Sequence, residues 1–186
     1  MNLVLAITGA TGAHAAELLA ARSPWPITLV ASRWGRDLAA REGVSYEALA
    51  DRADAVFDDD DLAAPISSGS VPTVGMVVLP CSAGTLGKIA AGLADSLITR
   101  AAHCHLKERR PLVLCVRESP WSLVDLDNAR RVAAAGGTIM PISPPYYMAA
   151  DRSPEAVTMT ELLGAYVDRV LALLGRRPDR TWEDLA

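Results

Sequence analysis

The amino-acid sequence predicts an α/β fold: a three-layer, doubly wound parallel sheet with helices on both faces. Three observations predict it. Five short apolar runs recur along the chain, helical stretches separate them, and turns rich in glycine and hydroxyl residues follow the runs. Runs that are apolar throughout, rather than alternating, suit strands buried on both faces of a parallel sheet. Strand and helix in alternation then imply right-handed βαβ units.

The first run, Leu3 to Thr8, has no basic segment before it and leads straight into a glycine turn, so it reads as a strand rather than a secretion signal. A helix is expected from Ala13 to Arg22, a strand from Ile27 to Ala31 and a helix from Arg33 to Glu42. The third strand is Val74 to Leu79, followed by one long helix from Thr85 to Arg109. Leu112 to Val116 and Thr138 to Met140 complete the strands, with helices at Leu123 to Ala135 and Thr160 to Leu174. The acidic run Asp58 to Asp61 lacks the glycine and distal glutamate of a calcium loop and reads as a solvated turn. No repeat or flexible linker divides the chain, so residues 1–186 read as a single domain with a tail from about residue 175.

Composition narrows the function. At 186 residues, 51% hydrophobic and 22% charged, the chain is an ordinary globular domain that needs no disulfide or metal staple. The net charge of −4 argues against a general nucleic-acid binder. Every basic residue except Lys88 and Lys107 is arginine, the side chain suited to fixed anion contacts. Cys81, Cys104 and Cys115 form no CxxC pair, which points to a reducing compartment and away from zinc. No run approaches the roughly 20 apolar residues of a membrane span, and a cytoplasmic location is expected.

In a parallel sheet, ligands sit beyond the carboxyl ends of the strands. The first strand is followed by Thr8-Gly9-Ala10-Thr11-Gly12-Ala13-His14, a turn into a helix start that can cradle a phosphate. The second ends at Ser32-Arg33-Trp34, where the serine reads as a helix cap, a ligand hydroxyl or both. Ile66-Ser67-Ser68-Gly69-Ser70 concentrates hydroxyls before the third strand, and Pro80-Cys81-Ser82-Ala83-Gly84-Thr85 forms a second small-residue turn after it. Arg100 and Lys107 lie on the long helix, where they serve either an anion or the helix dipole. Arg117-Glu118 closes the fourth strand as an acid beside a base, fit for proton transfer or for a structural ion pair. Pro141 to Tyr147 presents two tyrosines for stacking, phosphate binding or core packing. No metal-ligand spacing occurs.

Taken in order, TGATGA, SRW, ISSGS, GMVVLPCS, TRAA, LKERRPLVLCVRE, IMP, PPYY and DRVL resemble the UbiX-type flavin prenyltransferases, from about residue 3 to residue 174. The resemblance implies a homo-oligomeric assembly, a dodecamer, of a flavodoxin-like Rossmann fold. It also implies that a dimethylallyl group passes from dimethylallyl phosphate to N5 and C6 of reduced FMN, without metal, for use by a UbiD-type decarboxylase. It assigns Ala10, Thr11, Gly12, Ser32, Ser82, Ala83, Gly84, Thr85 and Arg117 to the flavin, and Arg100, Lys107, Tyr147 and Arg169 to the prenyl phosphate. Glu118 would be the acid or base, and Trp182 would belong to a tail near the site. The family's usual lysine between the serine and threonine of the second turn is Gly84 here, and the Tyr147 to Arg169 stretch is about six residues longer than in familiar members.

Other readings are a short-chain reductase, an FMN carrier or accessory subunit of a decarboxylase, and a homologue using another prenyl donor. The reductase needs a Tyr-x-x-x-Lys pair, but Gly84 and His103 stand four residues before the two lysines. A cysteine-type decarboxylase needs a PxMN segment, and Pro141 to Pro144 has no asparagine.

Overall fold

Five of the strands take the order 2-1-3-4-5 expected of a flavodoxin-like sheet, and a sixth adds at one edge. The computed structural model describes residues 1–149, 153–177 and 183, so Trp182 lies outside the described residues. Its elements are β1 (Asn2–Ile7), α1 (Ala13–Arg22), β2 (Ile27–Ala31), α2 (Arg33–Arg41), α3 (Tyr46–Ala50), β3 (Ala55–Asp58), β4 (Thr73–Cys81), α4 (Ala83–Ala90), α5 (Leu97–Lys107), β5 (Leu112–Val116), α6 (Leu123–Ala134), β6 (Thr138–Ile139) and α7 (Met159–Leu173). The strand order is β3-β2-β1-β4-β5-β6, and every pairing is parallel.

Burial on both faces explains the continuous apolar runs. In β1, Leu3, Leu5 and Ile7 point into one core with α1 and α7, while Val4 and Ala6 point into a second core with α4, α5 and α6. The same division splits β4 between Val77 and Leu79 on one face and Met76 and Val78 on the other. Tyr166 of α7 is fully buried, and its hydroxyl donates to the Met140 carbonyl at 2.7 Å, which fastens the last helix beneath the end of β6.

The structure departs from the sequence reading at two places. The helix expected from Thr85 to Arg109 is two helices, broken between Ala90 and Leu97, where Gly92 takes φ 72° and Ser96 opens a new helix with a capping box on Thr99. The chain from Tyr46 to Asp58 holds a short helix and the edge strand β3, whose residues are alternately half-buried and exposed. The acidic run is therefore more than a solvated turn. The Leu97 and Ile98 amides donate to the Asp59 carbonyl and carboxylate at 2.6 and 2.9 Å, and Arg36 pairs with Asp58 at 2.5 Å.

Candidate active site

Because β2 and β4 flank β1 on opposite sides, the loops after β1 and β4 diverge and leave a crevice at their carboxyl ends. Thr8 spans it. Its buried hydroxyl donates to the Pro80 carbonyl at 3.0 Å and accepts from the Ser82 amide at 2.9 Å. The Ser32 amide donates to the Ile7 carbonyl at 3.0 Å, so three strand ends form one ledge. From that ledge α2 and α4 start, capped by the Ser32 and Ser82 hydroxyls, which accept from the Gly35 and Thr85 amides at 3.1 and 3.2 Å. Gly35 is required because a Cβ there would strike the Ile7 carbonyl.

Between the two caps lies a cavity of about 300 Å³ lined by Thr8, Gly9, Ser32, Ser82, Gly84 and Thr85. A groove of about 580 Å³ continues from it past Arg33, Arg36 and Asp58, and the two share Asp59 and Ser96. Two helix N-termini facing one cavity concentrate unpaired N–H groups and the positive ends of the helix dipoles. The arrangement suits an elongated molecule with an anionic end.

The start of α1 is organised differently. Gly12 takes φ 113°, and its amide lies 2.9 Å from both Glu42 carboxylate oxygens, while the Ala13 amide donates to Glu42 at 2.7 Å. An internal carboxylate thus occupies the positive end of α1 and holds the glycine turn in place. Sequence reasoning missed Glu42, which lies 30 residues from Gly12 and carries no local pattern.

Arg117 and Glu118 leave β5 at the same edge, where the Arg117 amide donates to the Cys81 carbonyl at 3.0 Å. Both side chains are exposed. The Glu118 carbonyl accepts from the Trp121 indole at 3.0 Å, and its carboxylate accepts from the Ser119 amide at 3.2 Å. The proline segment bears on the first turn, since the Ile142 amide donates to Val116 at 3.0 Å and its side chain abuts Gly12. Tyr147 follows, half-buried. Ala10, Thr11, Gly12, Ser32, Ser82 to Thr85, Arg117 and Glu118 therefore share the carboxyl edge of the sheet.

Lys107 and Arg169 do not join them. Helix α5 begins at this edge on Asp59, and Lys107 stands ten residues further on, about 15 Å along the axis at 1.5 Å per residue. There it pairs with Glu108, whose carboxyl it holds below the usual carboxylate range, and lies against Gly69. Arg100, one turn into α5, donates to the Ser67 carbonyl at 2.9 Å, and Arg110 donates to Val71 and Gly69 at 2.6 and 2.5 Å. The Ile66 to Ser70 segment is thereby clamped along α5. Arg169 is exposed on α7 beside Asp168, which pairs with Arg22 at the far end of α1. His14 makes only a local pair with Glu17 at 3.6 Å among the described contacts. No group of three or more metal-ligating side chains occurs among the described residues.

A parallel doubly wound sheet whose switch-point crevice is framed by two capped helix starts defines a nucleotide-binding class, and the Flavoprotein family model matches residues 1–171. The chain belongs to that family. It is 44% identical over 178 residues to the flavin prenyltransferase UbiX of Deinococcus radiodurans, covering 94% of this chain and 88% of the relative. The structure is similar to that of AnUbiX in complex with FMN and dimethylallyl pyrophosphate, with a TM-score of 0.86, 39% identity and coverage of 93% and 91% of the two chains. It is similar also to a dodecameric FMN-dependent UbiX-like decarboxylase from Escherichia coli O157:H7, with a TM-score of 0.88, 37% identity and coverage of 97% and 98%.

Proposed function

We infer that this protein is a flavin prenyltransferase, transferring a dimethylallyl group from dimethylallyl phosphate to N5 and C6 of reduced FMN. The observation that carries the reading is the crevice itself, with its two serine-capped helix starts and the Arg117-Glu118 pair on one strand edge. The match to flavin prenyltransferases over 94% of the chain supports it. FMN enters as a substrate, its phosphate and ribityl chain held by Ala10, Thr11, Gly12 and Ser32, with Ser82, Ala83, Gly84, Thr85 and Arg117 also in contact with it.

The chain's own groups supply charge and protons. Glu118, exposed at the edge, gives or takes a proton around the reacting flavin and the departing phosphate. Arg100, Lys107, Tyr147 and Arg169 hold that phosphate, stabilising charge as it develops. Lys107 lies too far along α5 to serve the crevice of its own chain, so it serves the crevice of a neighbouring copy. A homo-oligomer, in the manner of the dodecameric relative, is part of this reading. The product suits a UbiD-type decarboxylase, and a cytoplasmic site of action fits three free cysteines and the lack, among the described residues, of a helix able to cross a membrane.

The test is anaerobic incubation with reduced FMN and dimethylallyl phosphate, followed by mass spectrometry of the extracted flavin. Addition of one prenyl unit is expected. FMN recovered unmodified would contradict transfer from this donor.

A further inference from the structure

We propose that Lys88 is an additional phosphate-binding residue of the crevice, exchanging its ion pair with Asp95 for the phosphate of bound FMN; this rests on the flavin reading above. Lys88 lies four residues after Gly84 on α4, so the two share a helix face, and it lines the same cavity as Ser82 and Thr85. Its neighbour among the charged lining residues is Asp59, whose carboxylate is engaged by the Ile98 amide at the start of α5. Without Lys88 the lining of this cavity carries, among the described residues, an acid and no side-chain cation, a poor match for a phosphate dianion.

The present partner of Lys88 is easily left. Its ammonium donates to Asp95 at 2.8 Å, with the two side chains 47% and 53% exposed, and an exposed pair of this kind is weak. The way is open as well, because no heavy atom lies within 4 Å of where a Gly84 Cβ would stand. A lysine is suited to such an exchange, being a compact charge with three donors on a flexible stem. The nearby arginines are held elsewhere. Arg36 pairs with Asp58 and lies 4.4 Å over the Tyr46 ring, and Arg33 lies 5.6 Å over Trp34.

Negative charge on bound flavin has two sources, the phosphate and the reduced ring, and comparison of FMN with riboflavin separates them. Affinities of both, oxidised and reduced, are measured for the assembled wild type, Lys88→Ala and Asp95→Asn at low and physiological salt. Lys88→Ala is expected to weaken FMN about 5- to 30-fold, as for loss of a charge-assisted contact, and to leave riboflavin unchanged. Asp95→Asn releases Lys88 and is expected to tighten FMN about two- to fivefold, an effect that salt diminishes and that misfolding cannot imitate. Equal weakening of FMN and riboflavin by Lys88→Ala, or weakening confined to the reduced forms, would overturn the phosphate assignment. Tight FMN binding by wild type with both variants unchanged would overturn the role of Lys88 while leaving the proposed function intact. Failure of the wild type to bind either flavin would overturn both.

Discussion

The carboxyl edge of the sheet and the far end of α5 carry the two halves of the proposed chemistry, and they are built differently. The edge is assembled within one chain: Thr8 ties β1 to β4, Ser32 and Ser82 cap the helices that leave it, and Glu42 holds the glycine turn. At the far end Lys107 lies against Gly69 and Arg110 donates to the Gly69 carbonyl, a helix length from that crevice. The difference teaches that a flavin cradle can be preorganised by one chain's own hydrogen bonds. In the function proposed above, Lys107 is carried on a helix end that meets the second substrate only in the assembly.

The largest expected effect separates chemistry from binding. Glu118→Gln is expected to slow prenyl transfer by about 10²- to 10⁴-fold, the range for loss of a general acid or base, with FMN affinity nearly unchanged in equilibrium titration. Lys107→Ala is expected to raise the concentration of dimethylallyl phosphate needed for half-maximal transfer, again with FMN binding retained. Equal weakening of FMN binding by Lys107→Ala would erase the distinction between the two regions.

A smaller effect sharpens the account of the edge. Glu42→Ala leaves the Gly12 and Ala13 amides without their carboxylate, and a lost stability of about 1–3 kcal/mol is expected from denaturant unfolding, the usual cost of stranding such donors. FMN affinity falls with it, because the first turn loosens. Unchanged stability would mean that water replaces the carboxylate without cost.

The smallest effect belongs to the α5 end. His105 is buried, its Nδ1 2.7 Å from the Ala101 carbonyl and its Nε2 2.8 Å from the Thr73 hydroxyl, and burial, helped by Arg110, pushes its pKa below the ordinary value. A depressed pKa means that the unfolded chain binds more protons in the window between the two values. The stabilisation is therefore complete above about pH 6.5, the ordinary histidine value, and is lost as pH falls from there through the folded-state pKa. Thermal unfolding from pH 7.5 to 5 is expected to show a steeper fall in Tm for wild type than for His105→Asn.

The sequence reveals the strands that are apolar on both faces, because a doubly buried strand needs no alternation to be seen. It hides β3, where Ala55, Val56, Phe57 and Asp58 form a half-exposed edge beside an acidic turn. It also hides the break between α4 and α5, since propensity continues through a region that only Gly92 and the Ser96 cap interrupt. Within the site, the hydroxyl and glycine turns are legible because each follows its strand directly. Glu42 is not, because its contact with Gly12 depends on how α2 packs beside α1. The separation of Lys107 from Ser82 is equally invisible without the helix break, since it follows from where α5 begins.

Co-assembly of two inactive variants tests the central claim most directly. Lys107→Ala and Glu118→Gln are each expected to show little prenyl transfer alone when dimethylallyl phosphate is held well below the concentration that Lys107→Ala needs for half-maximal transfer. If each site draws Lys107 from one copy and Glu118 from another, random mixing in equal amounts leaves about one site in four with both wild-type residues, a complementation possible only in a shared site. The account predicts recovery of about a quarter of wild-type activity in the mixed assembly, read as prenylated flavin. Verified mixed oligomers with no recovery would place both residues in the same chain's site and contradict the division between the two regions.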